Sequence, residues 1–212
     1  MNMISPQAME TTLEAGGAAK GVAVAIVCEN KDDSGLGRVR VSYPWHTTPH
    51  QSYWARIAAP MAGKDRGIYF IPEIDDEVLV AFERGDVRFP YVIGCLWSGK
   101  DPAPENNGDG KNNIHVIKTR EGHTLTFDDS GQGTLRLELK DGKKLEIDGD
   151  GIKLDDAGGN SLVIDSRGGS MSISATTKLS LSAPTIEINA KASATVQASG
   201  LLTLKGGMVA IN

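Results

Sequence analysis

Pairs of apolar residues separated by one residue recur along the C-terminal part of the chain. The first are Leu135-Leu137 and Leu145-Ile147, and successive pairs are on average about eight residues apart. Side chains at positions i and i+2 of a strand share a face, so each pair predicts a short strand with one apolar face. Gly, Asn, Asp and Ser between the pairs predict bends. The second members of the later pairs are Leu154, Ile164, Ile173, Leu181, Ile188, Val196 and Leu204.

Such a strand has nothing of its own against which to bury its apolar face. A helical coil of β-strands needs three sides to enclose a core. One chain that supplied all three sides would complete only about three turns, the minimum for a stable solenoid. Three chains that each supply one side would form about ten layers, with strands that pair between subunits. The repeat over 131–212 therefore predicts a trimeric needle whose axial core is formed by these seven second members.

Residues 21–100 carry a different pattern of short apolar or alternating segments separated by Gly, Pro and Asp. Six such segments without helical periodicity predict a small antiparallel barrel or sandwich. The segment GDVRFP predicts a hairpin loop between two of the strands. The six segments are GVAVAIVCE, which we interpret as fully buried, GRVRVSYPW, SYWARIAA, GIYFIP, DEVLVAFE and FPYVIGCLW.

Two further segments complete the organisation of the chain. Residues 1–20 are small and polar and predict a flexible leader. Residues 101–130 begin with a run rich in Pro, Asn, Gly and Asp, which predicts a linker and neck before the repeat.

Composition narrows the function classes. All 11 aromatic residues lie between Tyr43 and Phe127, as expected if rings are too bulky for a narrow three-fold core. The net charge of −5 argues against nucleic-acid binding, which needs a basic surface. The N-terminus lacks the features of a signal peptide, and no apolar run approaches the about 20 residues of a membrane span. We therefore expect the protein to stay in a cytoplasm or to leave by a route that reads no N-terminal signal.

The histidines and cysteines give no strong sign of chemistry. His46 and His50 flank a loop from which they could bind a metal across a three-fold axis, but we interpret them as surface loop residues that bind no metal. Cys28 and Cys95 lie in apolar runs and are interpreted as small buried core residues.

The acidic clusters are also interpreted structurally. The run over residues 73–77 is read as a turn that enters a strand. Asp148-Gly149-Asp150 and Asp155-Asp156 lack the ligand spacing of a calcium loop and are interpreted as solvated bends. We therefore expect no catalytic residue, no metal site and no cofactor, and the protein is not expected to be an enzyme.

Several motifs in the barrel segment resemble the oligonucleotide/oligosaccharide-binding (OB) domain of VgrG proteins and of baseplate assembly protein V, the spike of contractile phage tails. They are GRVRV-x-YPW, the W-x-R-I of residues 54–57, AGK-x-x-G, FIPEIDDEVLVAFERGD and P-x-VIG. The following IKTREGHTLTFDD resembles the segment that leads into the family's needle. The resemblance covers about residues 21–212. It implies an all-β fold, with an N-terminal OB-fold barrel followed by a C-terminal intertwined triple-stranded β-helix.

The resemblance implies a structural spike or needle-tip protein of a contractile injection machine, whether a phage tail, a type VI secretion system or an extracellular injection system. The homotrimer would be assembled in a bacterial cytoplasm, become part of a tail or an injected particle, and touch a target membrane only on puncture. Alternative interpretations are a trimeric β-helical adhesin and a polysaccharide-processing fibre protein.

The resemblance also implies two kinds of partner. Only about 20 residues precede the barrel, so the hub through which the spike would cap the tail tube is expected to be a separate baseplate protein at the OB end. The repeat runs to the last residue without a polar cap, so its tip is expected to bind a PAAR-repeat protein, with or without effectors. The residues expected at this tip are Met208, Val209, Ala210, Ile211 and Asn212.

Overall fold

A computed structural model of the chain describes residues 19, 21–45 and 51–211. The chain divides into two compact units, 1–108 and 109–212. The predicted leader over 1–20, apart from Ala19, and both His46 and His50 lie outside the described residues.

The first unit is a small barrel. Its main sheet contains β1 (Val22–Glu29), β2 (Arg40–Ser42), β3 (Arg56–Ile57), β6 (Glu77–Phe82) and β7 (Pro90–Cys95), in the order β2-β1-β6-β7-β3. All neighbours are antiparallel except β3 and β7, which are parallel. Reciprocal hydrogen bonds between Val39 and Ala55, of 2.7 and 3.1 Å, join the chain beside β2 to the chain beside β3. The five-stranded sheet is thereby closed.

Small aliphatic residues fill this barrel. Val27, Val39, Val41, Val78 and Val80 have no exposed surface, and Val92 has almost none. Val39 and Val41 point inward while Arg38 and Arg40 are only partly buried, as their alternation predicts. The predicted hairpin loop is confirmed, because a single 3₁₀ turn (Glu83–Gly85) and residues 86–89 connect the antiparallel strands β6 and β7.

Three expectations for the barrel are wrong. The run GVAVAIVCE is not fully buried, because β1 buries Ala23, Ala25 and Val27 and leaves Val22 and Val24 exposed. The segment GIYFIP forms no strand beyond Gly67, which pairs in the short hairpin of β4 (Ala62–Gly63) and β5 (Arg66–Gly67). Cys95 is exposed rather than buried.

A bidentate ion pair between Arg38 and Asp32 holds the loop between β1 and β2. The Asp32 carboxylate accepts hydrogen bonds from Nε and Nη2 of Arg38 at 2.7 and 2.9 Å, and the Asp32 side chain is only 3% exposed. The same guanidinium lies 5.6 Å from the ring centre of Trp54, and that of Arg40 lies 4.8 Å from it. The hydrogen bonds from Arg38 and then from Ser34 hold the pKa of Asp32 well below its usual range.

The second unit is a seven-stranded antiparallel sheet in which every strand pairs with its neighbours in sequence. The predicted strands around the first five apolar pairs are all present. The seven strands are β8 (Ile114–Lys118), β9 (Thr124–Asp128), β10 (Thr134–Glu138), β11 (Lys144–Ile147), β12 (Gly151–Asp155), β13 (Ser161–Asp165) and β14 (Ser170–Ser174).

The hydrogen bonds of this sheet lie within one chain. The expectation that every layer pairs between subunits is therefore wrong for residues 114–174, where bends short enough for hairpins let each strand pair with the next. Strands β8 and β9 fall inside the range 101–130 that we expected to be linker and neck, and they belong to the same sheet as the repeat. The expected domain boundaries otherwise stay a prediction.

Candidate self-association surface

Two rows of apolar side chains cross one face of the second-unit sheet. Directly paired residues of an antiparallel sheet point to the same side, so the strand register defines each row. We call this surface the two-row face. One row is Ile117, Leu125, Leu137, Leu145, Leu154, Leu162 and Ile173, and the other is His115, Phe127, Leu135, Ile147, Ile152, Ile164 and Met171.

The two-row face is open to solvent in a single chain. Leu154 is 53% exposed, Ile173 51% and Met171 65%, and none of the described residues of this unit is fully buried. An open groove of about 780 Å³ follows the row from Leu137 to Ile173 and continues to Leu179. Contiguous apolar surface of this extent marks an interaction site rather than ordinary protein surface.

The opposite face of the same sheet is mostly polar. Arg136 and Glu146 are cross-strand partners whose Nη2 and Oε2 atoms lie 2.6 Å apart. On the next strand, Lys153 Nζ lies 3.0 Å from Asp155 Oδ2. The sheet therefore has one face suited to water and one that needs a partner.

Aspartates at the bends set the register of both rows. The Asp148 carboxylate accepts hydrogen bonds from the Asp150 and Gly151 backbone N–H groups at 2.8 and 3.0 Å. Asp165 accepts from the N–H groups of Arg167 and Gly168 at 2.9 and 2.7 Å. These bonds are typical of Asx turns, and they agree with the interpretation of the acidic clusters as bends. A one-residue slip would move every apolar side chain to the polar face.

The seven expected core residues divide between two environments. Leu154 and Ile173 lie in one row and Ile164 in the other, because successive antiparallel strands reverse direction. The first member of each pair, such as Ile152 or Leu162, is placed equivalently, and the sequence analysis missed it. The i, i+2 spacing carries that signal, since both members of a pair share a face.

The other four, Leu181, Ile188, Val196 and Leu204, follow the last strand. Among the described residues 175–211 there is no strand and no backbone-to-backbone hydrogen bond, and every side chain is exposed. Four of the five expected tip residues, Met208 to Ile211, are in this exposed segment, and Asn212 lies outside the described residues.

The remaining candidates that the structure describes do not assemble into a site. The described residues contain no group of three or more His, Cys, Asp or Glu that could hold a metal ion. Asp76 Oδ2 accepts the Glu73 N–H at 2.8 Å, which agrees with a turn before β6. His123 Nδ1 accepts the Lys140 N–H at 3.2 Å. Among the described residues, no helix has the length and apolar character needed to cross a membrane.

Two family models match most of the chain. Residues 23–97 match the type VI secretion system/phage-baseplate injector OB domain. Residues 113–212, which contain the whole two-row face, match the phage baseplate V C-terminal trimerisation domain. The chain belongs to the phage baseplate V family. The OB model coincides with the closed barrel, and the match to a trimerisation domain accounts for an apolar face without a partner in one chain.

Curated relatives of this family member are type VI secretion system spike proteins. VgrG3 of Vibrio cholerae serotype O1 is 32% identical over 120 residues, which is 55% of this chain and 10% of the relative. VgrG5 of Pseudomonas aeruginosa is 38% identical over 114 residues, 52% of this chain and 14% of the relative. VgrG4b of the same species is 32% identical over 114 residues, 52% of this chain and 13% of the relative. The matched region thus spans about a tenth to a seventh of each.

Proposed function

We propose that the protein is a structural spike of a contractile injection machine, whose role is mechanical rather than catalytic. The observation that carries this proposal is the two-row face, which lies in a segment matched to a trimerisation domain and has no cover in one chain. Three copies bring three such faces together, and the machine would drive the assembled needle through a target envelope.

The two-row face supplies the stability that a piercing element needs. Fully burying one large aliphatic side chain contributes about 1.5–3 kcal/mol, so covering a side chain that is already half-buried contributes about 1 kcal/mol. The two rows hold thirteen apolar side chains in each copy. Their burial in a trimer therefore contributes on the order of tens of kcal/mol, which makes dissociation and unfolding slow.

Residues 175–211 fit the same role by a different route. The described residues of this segment form no backbone-to-backbone hydrogen bond, yet apolar pairs such as Leu179-Leu181 and Ile186-Ile188 continue at the same spacing. Unpaired backbone groups cannot be buried without a large cost. We infer that the other two copies provide those hydrogen bonds, so that the intertwined β-helix is formed by this segment.

The partners of the spike are also proposals. A separate hub or baseplate protein would bind at the barrel end, and a PAAR-repeat protein, with or without effectors, would bind the tip residues. The apolar side chains of Met208, Val209 and Ile211 support the second proposal, because they are exposed in one chain. Flat apolar surface and free strand edges suit such a partner.

Two measurements test the proposed function. Light scattering should give a mass of three times 22.5 kDa, and the trimer should resist SDS without boiling. Contractile particles purified from cells that carry a tagged chain should bear the tag at the tube tip in electron micrographs. A monomer at micromolar concentration would refute the trimer, and absence of the tag from intact particles would refute the spike.

A further inference from the structure

A groove beside the β6–β7 hairpin carries two guanidinium groups that the barrel core does not use. It has a volume of about 470 Å³, and we call it the two-arginine groove. Its lining combines these two cations with two tyrosines and contains no carboxylate. The lining residues are Arg40, Tyr43, Gln51, Ser52, Tyr53, Val87 and Arg88.

One of the two arginines has an unsatisfied donor. Nε of Arg40 is buried, and among the described residues it has no hydrogen-bond partner. Nη1 of the same guanidinium lies 3.5 Å from Glu29 Oε2, so the nearest carboxylate pairs with a different nitrogen. A buried donor without an acceptor destabilises a protein, and native structures rarely leave one. The donor therefore points to an acceptor that the described residues do not supply.

The second arginine lies beside an exposed aromatic pair. Tyr53 and Phe89 stack with their ring centres 5.0 Å apart, and Tyr53 is 58% exposed. The Arg88 guanidinium lies 5.6 Å from the centre of the Phe89 ring. Its Nε and Nη2 donate to the Asp86 carboxylate at 3.0 and 2.7 Å. A guanidinium has five N–H donors, so Arg88 keeps donors for a second acceptor, next to an apolar aromatic surface.

The N-terminal segment joins the barrel close to this groove. The Ala19 N–H donates to the Gly85 carbonyl at 2.8 Å, which places the end of residues 1–18 at the β6–β7 hairpin. Gly85 is three residues before Arg88, so their Cα atoms are at most about 11 Å apart. Glu14 is five residues before Ala19 and can reach about 17 Å from it. The segment is therefore long enough to enter the groove.

The composition of residues 1–18 complements the groove. They contain two carboxylates, Glu10 and Glu14, and no lysine or arginine. Met9 and Leu13 directly precede the two glutamates, so each carboxylate has an apolar neighbour. Carboxylates form strong charge-assisted hydrogen bonds with guanidinium groups, and the apolar neighbours suit an exposed aromatic ring.

We propose that residues 1–18 fold back onto their own barrel and occupy the two-arginine groove. A glutamate of the segment accepts hydrogen bonds from Arg40 and Arg88, and the apolar residue before it packs on Tyr53. The short connection to Ala19 gives the segment an effective concentration of about millimolar at the groove, which favours it over a partner in solution. The contact lies within one chain and does not depend on the proposed spike or its trimer.

Cross-linking of the full-length protein tests this contact. In a background with Cys28→Ala and Cys95→Ser, Thr12→Cys is combined with Gln51→Cys in the groove and treated with a short bismaleimide. The matched control combines Thr12→Cys with Arg84→Cys, an exposed position next to the tether point and outside the groove. A segment that is tethered but not docked would react with the control position at least as readily. Docking should raise the yield in the groove at least about tenfold above the control.

Removal of the two carboxylates tests the charges separately. Glu10→Gln and Glu14→Gln together should lower the yield of the groove cross-link to that of the control pair, because the arginines lose their acceptor. Ser5→Ala with Gln7→Ala leaves both carboxylates in place and should not lower it. Counting reactive thiols in the denatured protein ensures that all variants are compared at equal labelling.

Three outcomes would overturn the proposal. Equal yields for the two cysteine pairs would show that the segment does not occupy the groove. A cross-linked product of two or three chain masses after boiling in SDS would show that the segment of another copy occupies it. A yield that the glutamine variants leave unchanged would show that the arginines do not hold the segment. Light scattering of the untreated protein reports trimerisation separately, so a failure of the proposed function is distinguishable.

Discussion

Two neighbouring residues of β14 allow the burial of the two-row face to be measured. Ile173 lies in one apolar row and Ser172 lies on the opposite face, and both are exposed in a single chain. In an isolated chain, Ile173→Asp and Ser172→Asp would therefore have similarly small effects. Any large difference between them has to come from the copies that cover the two-row face.

The size of the expected difference follows from the exposure of Ile173. Covering its exposed half contributes about 1 kcal/mol per copy, and this contribution is lost in the aspartate variant. A buried carboxylate without a partner costs several kcal/mol more in each copy. For a trimer, Ile173→Asp should therefore cost about 10 kcal/mol or more, whereas Ser172→Asp should change the unfolding free energy by less than about 1 kcal/mol per copy.

Thermal unfolding followed with light scattering is the suitable assay. Ile173→Asp should be monomeric or melt far below the wild type at pH 7, and Ser172→Asp should remain a trimer. Burial raises the pKa of an aspartate, so the variant's defect should diminish as pH falls and the carboxyl becomes neutral. Equal melting temperatures for the two variants would refute the assignment of this face to the trimer interface.

Three further predictions follow from other parts of the chain. Ile188→Asp should destabilise the trimer severely and Ser182→Asp mildly, as measured by thermal unfolding; similar effects would contradict an intertwined segment after the sheet. Because Arg38 lowers the pKa of Asp32, the stability from this pair is present above the unfolded pKa of about 3.9 and is lost as pH falls. The stability of the barrel should therefore fall less steeply with acidification in Asp32→Asn than in the wild type. An unchanged acid unfolding profile would be inconsistent with the Asp32–Arg38 ion pair. A chain truncated after Gly207 should lose co-purification of a PAAR-repeat protein that full-length trimer retains, and equal recovery would place the binding site elsewhere.

The sequence pattern predicts the C-terminal strands well because each apolar pair needs only local information. The i, i+2 spacing identifies Leu162 and Ile164 as facing one way, and the aspartates and glycines mark the bends. The spacing does not indicate which chain supplies the neighbouring strand. Pairing within a hairpin of one chain and pairing with a strand of another chain place the same side chains on the same face. Spacing alone therefore could not predict the intrachain sheet up to Ser174.

The barrel was harder to predict where apolar residues face outward. An unbroken run such as that over 21–29 is consistent with burial on both faces, but the structure buries only every second residue. Tyr69 and Phe70 have high strand propensity, yet they form no strand because no neighbouring strand pairs with that segment. Both errors involve apolar residues that remain exposed in a single chain.

The strictly sequential pairing of the seven-stranded sheet makes its length adjustable. Neighbouring strands are about 4.8 Å apart, and each contacts only the strands before and after it. Removing β12 and β13 together would shorten the sheet by about 9.6 Å and leave the strand directions alternating, so β11 could pair with β14 as it now pairs with β12. Loss of a single strand would instead reverse every later strand. The length of this sheet could thus change during evolution by duplication or deletion of whole hairpins.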